Sequence, residues 1–272
     1  MLPTLGIIAG KGDIPLGIAE IYERNGGKCF IAKISDDCDI DLDKHHHKNF
    51  AIGQAGGIIK YFKEAGVQNI IIIGGVDRPD LSALKADFVG SKLLTQILKN
   101  QFLGDDKVLT IVANFLEKEG FKVISPYQIL SIDSQEANYH TKKTPSKIEL
   151  SDITLGQKVL MALGEVDVGQ SVIVNRGYVL GIEAAEGTDN LIRRCEILRR
   201  QQDGGVLIKI AKTRQDLRLD IPTIGPETVF TLAKHNFSGI AISRKEVMIV
   251  KPEETFQLAN KYGLFIHVFE KR

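Results

Sequence analysis

The run Leu5-Gly-Ile-Ile-Ala-Gly-Lys-Gly-Asp-Ile-Pro15 sets the fold class. Leu5 to Ala9 reads as a short buried strand, Gly10-Lys-Gly12 as a tight turn, and the stretch to about Arg24 as a helix. Cys29 to Ile34 reads as a second strand. Strand, glycine-rich turn and helix in that order open a doubly wound α/β domain. Farther on, Gln54 to Ala65 reads as a helix and Asn69-Ile-Ile-Ile-Ile73 as a parallel strand buried on both faces. Phe88 to Phe102 and Asp105 to Glu119 have helical spacing, and Phe121 to Ile124 closes the unit as a strand.

From about Ser131 to Leu150 the chain changes character, and Ser134 to Lys147 is polar without periodicity. Beyond it, Ile153 to Leu163 and Leu191 to Arg200 read as helices, and Gln170 to Glu183 as a hairpin turning at Asn175-Arg-Gly177. Strands are expected at Val206 to Ile210, Gly239 to Ile242, Val247 to Val250 and Phe265 to Phe269, with a helix at Glu253 to Tyr262. The expected fold is α/β in two domains. Residues 1–135 form a Rossmann-like parallel sheet with helices on both faces, 136–150 a linker, and 151–272 a mixed α/β domain that carries the catalysis.

A chain of 272 residues suits one large domain or two smaller ones. With 35 basic against 34 acidic residues, the net charge of +1 supplies no field for nucleic acid. Cys29, Cys38 and Cys195 make an odd count with no metal-ligand spacing, which fits a reducing cytoplasm. The N-terminal run lacks a basic leader, and no stretch approaches the ~20 apolar residues of a membrane span.

The chemistry is expected in Lys212 to Thr228. Asp216, Arg218 and Asp220 alternate with Leu217, Leu219 and Ile221, so an extended segment would turn both carboxylates and the guanidinium to one face. Pro222 and Gly225-Pro226 end that segment, and Thr223 or Pro226 starts a helix whose N-terminus suits an anion. The alternative is a salt-bridged edge strand. Glu186, Thr188 and Asp189 place three oxygen donors around Gly187, a set for a hard cation such as Mg²⁺ or Mn²⁺, or else a capped helix start. Arg193 and Arg194 follow on a helix, where they could meet a phosphate.

Gly10 and Gly12 lie between strand and helix, where an anion can bind, although the run is neither a dinucleotide fingerprint nor a P-loop. Gly75-Val-Asp-Arg78 follows a buried strand, and Arg78 can fork two hydrogen bonds to a phosphate; the alternative is a surface turn that caps a helix. Gly104-Asp-Asp106 reads as a capped helix start, with a metal site as the alternative. His45-His-His47 reads as a solvated loop, because adjacent histidines cannot face one ion in regular structure. His140, His235, His267 and Cys195 read as structural.

Six runs together carry a resemblance: Gly6 to Gly12 with Pro15, Gly75 to Pro79, Gly104 to Asp106, Asp167 to Ser171, Ile182 to Asp189, and Gln215 to Gly225. In order and over nearly the whole chain, they resemble the LpxI type of UDP-2,3-diacylglucosamine pyrophosphatase, from lipid A biosynthesis. Glu-Ala-Ala-Glu-Gly-Thr-Asp189 and Arg-Leu-Asp-Ile-Pro-Thr-Ile-Gly225 are the specific ones. The resemblance implies hydrolysis to UMP and 2,3-diacylglucosamine 1-phosphate, lipid X, with water directed at the β-phosphorus. It implies a divalent metal, two domains closing on the lipid, a homodimer, and a cytoplasmic protein in transient contact with the inner membrane.

By carry-over, Asp220 is the first candidate for the essential carboxylate, with Asp216 and Arg218 beside it. Asp220, Glu186 and Asp189 are the metal candidates. Gly10, Gly12, Gly75, Arg78, Gln170, Thr188, Arg193, Thr223 and Gly225 are the substrate contacts. Lys11 stands where relatives have glycine, a departure that bears on close backbone contact there. Two rival readings are a non-catalytic nucleotide-sugar or lipid carrier and a nicotinamide-dependent oxidoreductase.

Overall fold

A computed structural model describes residues 2–34, 42, 44–76, 84–99, 105–134, 140–166, 168–199, 204–213 and 215–270. The chain divides into two compact units, Met1–Glu136 with Asp216–Asp220, and Ala137–Gln215 with Ile221–Arg272.

The first unit runs β1 (Leu5–Ala9), α1 (Ile14–Arg24), β2 (Cys29–Lys33), β3 (His46–Asn49), α2 (Ala55–Glu64), β4 (Asn69–Ile73), α3 (Phe88–Leu98), α4 (Asp105–Lys118), β5 (Lys122–Val123) and α5 (Pro126–Ser134). Its five strands are parallel in the order β3-β2-β1-β4-β5. Alternate side chains of β1 feed two cores, as a two-residue period requires. Leu5, Ile7 and Ala9 pack with Ile18, Ala19 and Tyr22 of α1 and Ile129 of α5. Ile8 packs on the other face with Ile58, Ile59 and Phe62 of α2 and Leu116 of α4. The Rossmann-like sheet with helices on both faces is what the sequence predicts. Each large apolar side chain so buried contributes about 1.5–3 kcal/mol.

Two elements of this unit escape the sequence reading. The predicted loop at His45–His47 is largely strand, because His46–Asn49 pairs in register with Phe30–Lys33 at the sheet edge. All four of its residues are exposed, so no apolar alternation marks it. Helix α5 begins in residues that the sequence reading leaves unassigned and runs into the stretch, from about Ser131, where the chain changes character.

The second unit runs α6 (Lys147–Gly164), β6 (Ser171–Asn175), β7 (Tyr178–Ile182), α7 (Thr188–Glu196), β8 (Val206–Lys209), β9 (Thr223–Ile224), α8 (Pro226–Lys234), β10 (Gly239–Ser243), β11 (Met248–Ile249), α9 (Pro252–Tyr262) and β12 (Phe265–Phe269). Its main sheet has the order β12-β10-β8-β6-β7, with β6 antiparallel to both neighbours. The mixed α/β architecture matches expectation. Helix α6 begins inside the expected linker 136–150, because Ser146 and Glu149 form a capping box: Glu149 N–H donates to Ser146 Oγ at 3.3 Å and Ser146 N–H to Glu149 Oε2 at 2.7 Å. The hairpin turns where predicted, with Arg176 and Gly177 both at positive φ. Asp152 of α6, buried, accepts from both turn amides at 2.8 and 2.7 Å.

Asp216–Asp220 is the main departure. The sequence puts it inside a continuous 151–272 domain as an extended segment. Instead Leu219 N–H and Asp220 N–H both donate to the Asp216 carbonyl, which makes a turn, and Leu219 is buried in the α2–α4 core of the first unit. Alternation of polar and apolar residues is equally satisfied by a turn with one apolar anchor.

Asp87 joins the starts of α2 and α3. Its carboxylate accepts from the amides of Gly56, Gly57 and Gly90 at 3.2, 3.0 and 2.7 Å. Burial works to raise this carboxyl, and four backbone amides outweigh it, so it is held below the usual carboxylate range. A depressed folded value means the stabilisation is full above the unfolded value of about 4 and is lost as pH falls through the folded one. The difference in urea midpoint between the native chain and Asp87→Asn is therefore expected to be full at neutral pH and to shrink as the pH falls below about 4.

Candidate active site

In the first unit, β1 and β4 are neighbours whose chains leave the sheet in opposite directions along the strand order, which makes their carboxyl ends a topological switch point. The turns after them pack on each other. Lys11 N–H donates to Gly75 O at 2.7 Å and Gly75 N–H to Lys11 O at 3.1 Å. A Cβ on Gly10 would meet Gly75 O at 2.4 Å, so glycine at 10 lets the two turns touch. Gly12, at φ +90°, has open space around it and is glycine for its backbone conformation. Lys11 therefore sits in a backbone ladder between the two turns. Arg78 lies outside the described residues, as do Asp167 and Gly104.

The Asp216–Asp220 turn is held by Arg218. Its Nη2 donates to Asp216 Oδ2 at 2.7 Å, its Nε to Asp216 Oδ1 at 3.0 Å, and its Nη1 to Glu117 Oε1 of α4 at 2.8 Å. Hydrogen bonding from Arg218 keeps the Asp216 carboxyl low against the opposing effect of burial, and the same bonds raise the guanidinium. Arg218 is thus shared by two carboxylates, and Asp220, half-buried, closes the turn through its own amide to Asp216 O at 3.1 Å.

In the second unit, Glu186 faces Arg194. The guanidinium donates to Glu186 Oε1 through Nε at 3.0 Å and Nη2 at 2.7 Å, and Nη2 also donates to Ile182 O at 2.6 Å. The Glu186 backbone amide, then Arg194, hold that carboxyl below the usual range. Arg193 is exposed and donates to Asn190 Oδ1 at 2.8 Å. Asp189 lies half-exposed in the first turn of α7. Gln170 Oε1 accepts from Gln215 Nε2 at 3.3 Å. Thr223 lies in β9, and Gly225 caps α8, its N–H donating to Thr228 Oγ1 at 3.4 Å.

The residues that sequence reasoning missed are buried ones. Lys209 ends β8, Ser171 opens β6 opposite it, and Glu183 follows β7 with its N–H donating to Ser171 O. Lys209 is 4% exposed and Glu183 7%. Thr188 joins them, donating to Glu183 Oε1 at 3.0 Å and accepting from Lys209 Nζ at 2.8 Å. Ser171 Oγ and Glu183 Oε2 are buried with no hydrogen-bond partner, a condition that costs free energy unless a further group fills it. The cluster sits at the carboxyl ends of β7 and β8 beside the α7 N-terminus, where open sheets bind ligands and where an ammonium suits an anion. Ser171 and Glu183 lie in runs that carry the resemblance, and the signal available for Lys209 was a lysine closing an otherwise apolar strand, Val-Leu-Ile-Lys209.

Within the second unit, the carboxylate and hydroxyl oxygens of Asp189, Glu186 and Thr188 are of the donor type that a hard divalent cation takes, as is the Asp220 carboxylate in the first. Glu186 fits it least, since a metal would have to displace Arg194. A cavity of about 400 Å³ opens at the opposite edge of this sheet, lined by Asp152, Asn175, Gly205, Phe237 and Tyr262. It meets the amino ends of the parallel strands, and its buried acid, Asp152, is already committed to the hairpin amides. It is set apart from the Lys209 cluster.

Comparison with known proteins bears on both units. A family described as LpxI N-terminal domain matches residues 4–132, and one described as LpxI C-terminal domain matches residues 136–267. The chain is 32% identical over 268 residues to a protein of Caulobacter vibrioides named UDP-2,3-diacylglucosamine pyrophosphatase LpxI, covering 96% of each. Among solved structures, N5-carboxyaminoimidazole synthetase from Staphylococcus aureus is 13% identical, with a TM-score of 0.27 over 73% of this chain and 45% of its own. That likeness is too slight to carry an argument.

Removing the buried ammonium leaves the Glu183 carboxylate without its indirect partner. Lys209→Met is expected to cost about 3 kcal/mol, read as a lower urea midpoint. Adding Glu183→Gln should recover part of the loss, a non-additivity that a double-mutant cycle measures.

Proposed function

The chain belongs to the LpxI family, whose two domains match it from residue 4 to 132 and from 136 to 267, and we propose that it hydrolyses the pyrophosphate bond of UDP-2,3-diacylglucosamine in lipid A biosynthesis. One observation carries the reading: 32% identity sustained over 96% of both chains with a protein named for that pyrophosphatase activity. The products are UMP and 2,3-diacylglucosamine 1-phosphate, with water attacking the β-phosphorus.

The chemistry needs negative charge on both phosphorus centres neutralised as water approaches. When bound, Mg²⁺ or Mn²⁺ supplies that neutralisation and Lewis acidity. We take Asp220 as the acid that holds the cation or orients the water, with Asp189 and Glu186 as alternative holders. Arg218 is a positioning residue in this scheme. Held by Asp216 and Glu117, it keeps the turn, and with it Asp220, in one geometry. Arg193, Lys209 and the α7 N-terminus supply positive charge for a phosphate. The proposed substrate contacts are Gly10, Gly12 and Gly75 in the first unit and Gln170, Thr188, Thr223 and Gly225 in the second, with Arg78 proposed on its residue type alone.

No helix among the described residues is long and apolar enough to cross a membrane. We propose a cytoplasmic homodimer, as the family resemblance implies, in transient contact with the inner-membrane surface, where a substrate with two acyl chains resides.

UMP release from UDP-2,3-diacylglucosamine by the purified chain is expected with Mg²⁺ or Mn²⁺ and not with chelator. Asp220→Ala should lower it by at least about 100-fold with an unchanged unfolding midpoint. Release surviving in that variant would move the essential acid to Glu186, Asp189 or Asp216. Lipid binding by folded native chain without release would leave a carrier in place of the hydrolase.

A further inference from the structure

Glu23, Cys29 and His45 converge in the first unit and take no part in the proposed hydrolysis. Cys29 Sγ donates to Glu23 Oε1 at 3.0 Å, and His45 Nδ1 lies 2.9 Å from Glu23 Oε2. One ligand atom from each lies within 4.8 Å of the others. They come from three elements: the last turn of α1, the first residue of β2, and the turn before β3.

We propose that Glu23, Cys29 and His45 bind a zinc ion, as a site separate from any cation used in catalysis. The inference does not rest on the assigned reaction. Thiolate, imidazole and carboxylate are the three side-chain ligands zinc takes, and a hard cation such as Mg²⁺ avoids sulfur. Cys29 is fully buried, yet its sulfur points at a carboxylate. The His45 side chain is 8% exposed and that of Glu23 33%, which leaves one open side for a fourth ligand such as water.

The surroundings favour a cation here. Glu23 lies in the last turn of α1, against the negative end of the helix dipole, where positive charge is stabilising. In a tetrahedral shell the donor atoms stand about 3.5 Å apart, which lies between the 2.9–3.0 Å contacts to Glu23 and the 4.8 Å that bounds the trio, so shifts of about an ångström or less in these side chains would seat an ion. The ion would also act structurally. Edge strand β3 has every residue exposed, and of the residues just before it Leu42 joins the core. A ligand bond to His45 would tie that edge to α1 and β2.

The full-length chain, stripped with chelator, is titrated with Co²⁺, whose thiolate-to-metal charge-transfer absorption requires a sulfur ligand. One equivalent is expected to bind with that band, Zn²⁺ to displace it, and Mg²⁺ to leave it unchanged. Cys29→Ser should abolish the band. His45→Ala retains the thiol, so it carries the test if the serine variant fails to fold; it should weaken Co²⁺ binding about 10–100-fold. A native chain without the band would overturn the proposal. So would a band that survives Cys29→Ser, which would belong to Cys38 or Cys195, or Co²⁺ affinity unchanged in His45→Ala.

Discussion

Leu219 is buried among Phe62, Phe115 and Leu116 of the first unit, although Gln215 and Ile221, a few residues to either side, belong to the second. Burying a leucine is worth about 1.5–3 kcal/mol, and Arg218 adds a bidentate bond to Asp216 and a second bond to Glu117. Five residues are thereby tied to a core more than ninety positions away in sequence. The acid of the family motif, Asp220, stands at the end of this turn, so its position depends on that anchoring.

The two sheets solve the same problem in different ways. In the first, the switch point is built from backbone: the turns after β1 and β4 approach so closely that Gly10 admits no side chain. In the second, the carboxyl edge is built from buried polar side chains, with Lys209, Thr188 and Glu183 in a hydrogen-bonded chain and two buried oxygens left over. A buried ammonium beside a buried carboxylate is costly to assemble, and parts of a protein that carry such groups are commonly functional.

The α/β class, the Rossmann-like first sheet and most helices were legible because apolar periodicity is a local signal. The Glu186–Asp189 and Gln215–Gly225 runs stood out for their unusual composition. Lys209 did not, because a single polar residue closing an apolar strand looks like a strand end. Glu183, although it opens the motif that ends at Asp189, carried no sign of its burial, which depends on which strands are paired beside it. His45–His47 read as solvent-exposed because a strand with four exposed residues has no alternation to read.

What the sequence determined by itself is the type of most elements and the chemistry available in its motifs, since both follow from neighbours along the chain. The tertiary structure alone decided that Asp216–Asp220 turns instead of extending, that it belongs to the first unit, and that Glu23, Cys29 and His45 meet. Those outcomes rest on contacts between residues far apart in sequence, such as Arg218 with Glu117 and His45 with Glu23. Local pattern is indifferent to such contacts, and only the packed chain selects among the conformations it allows.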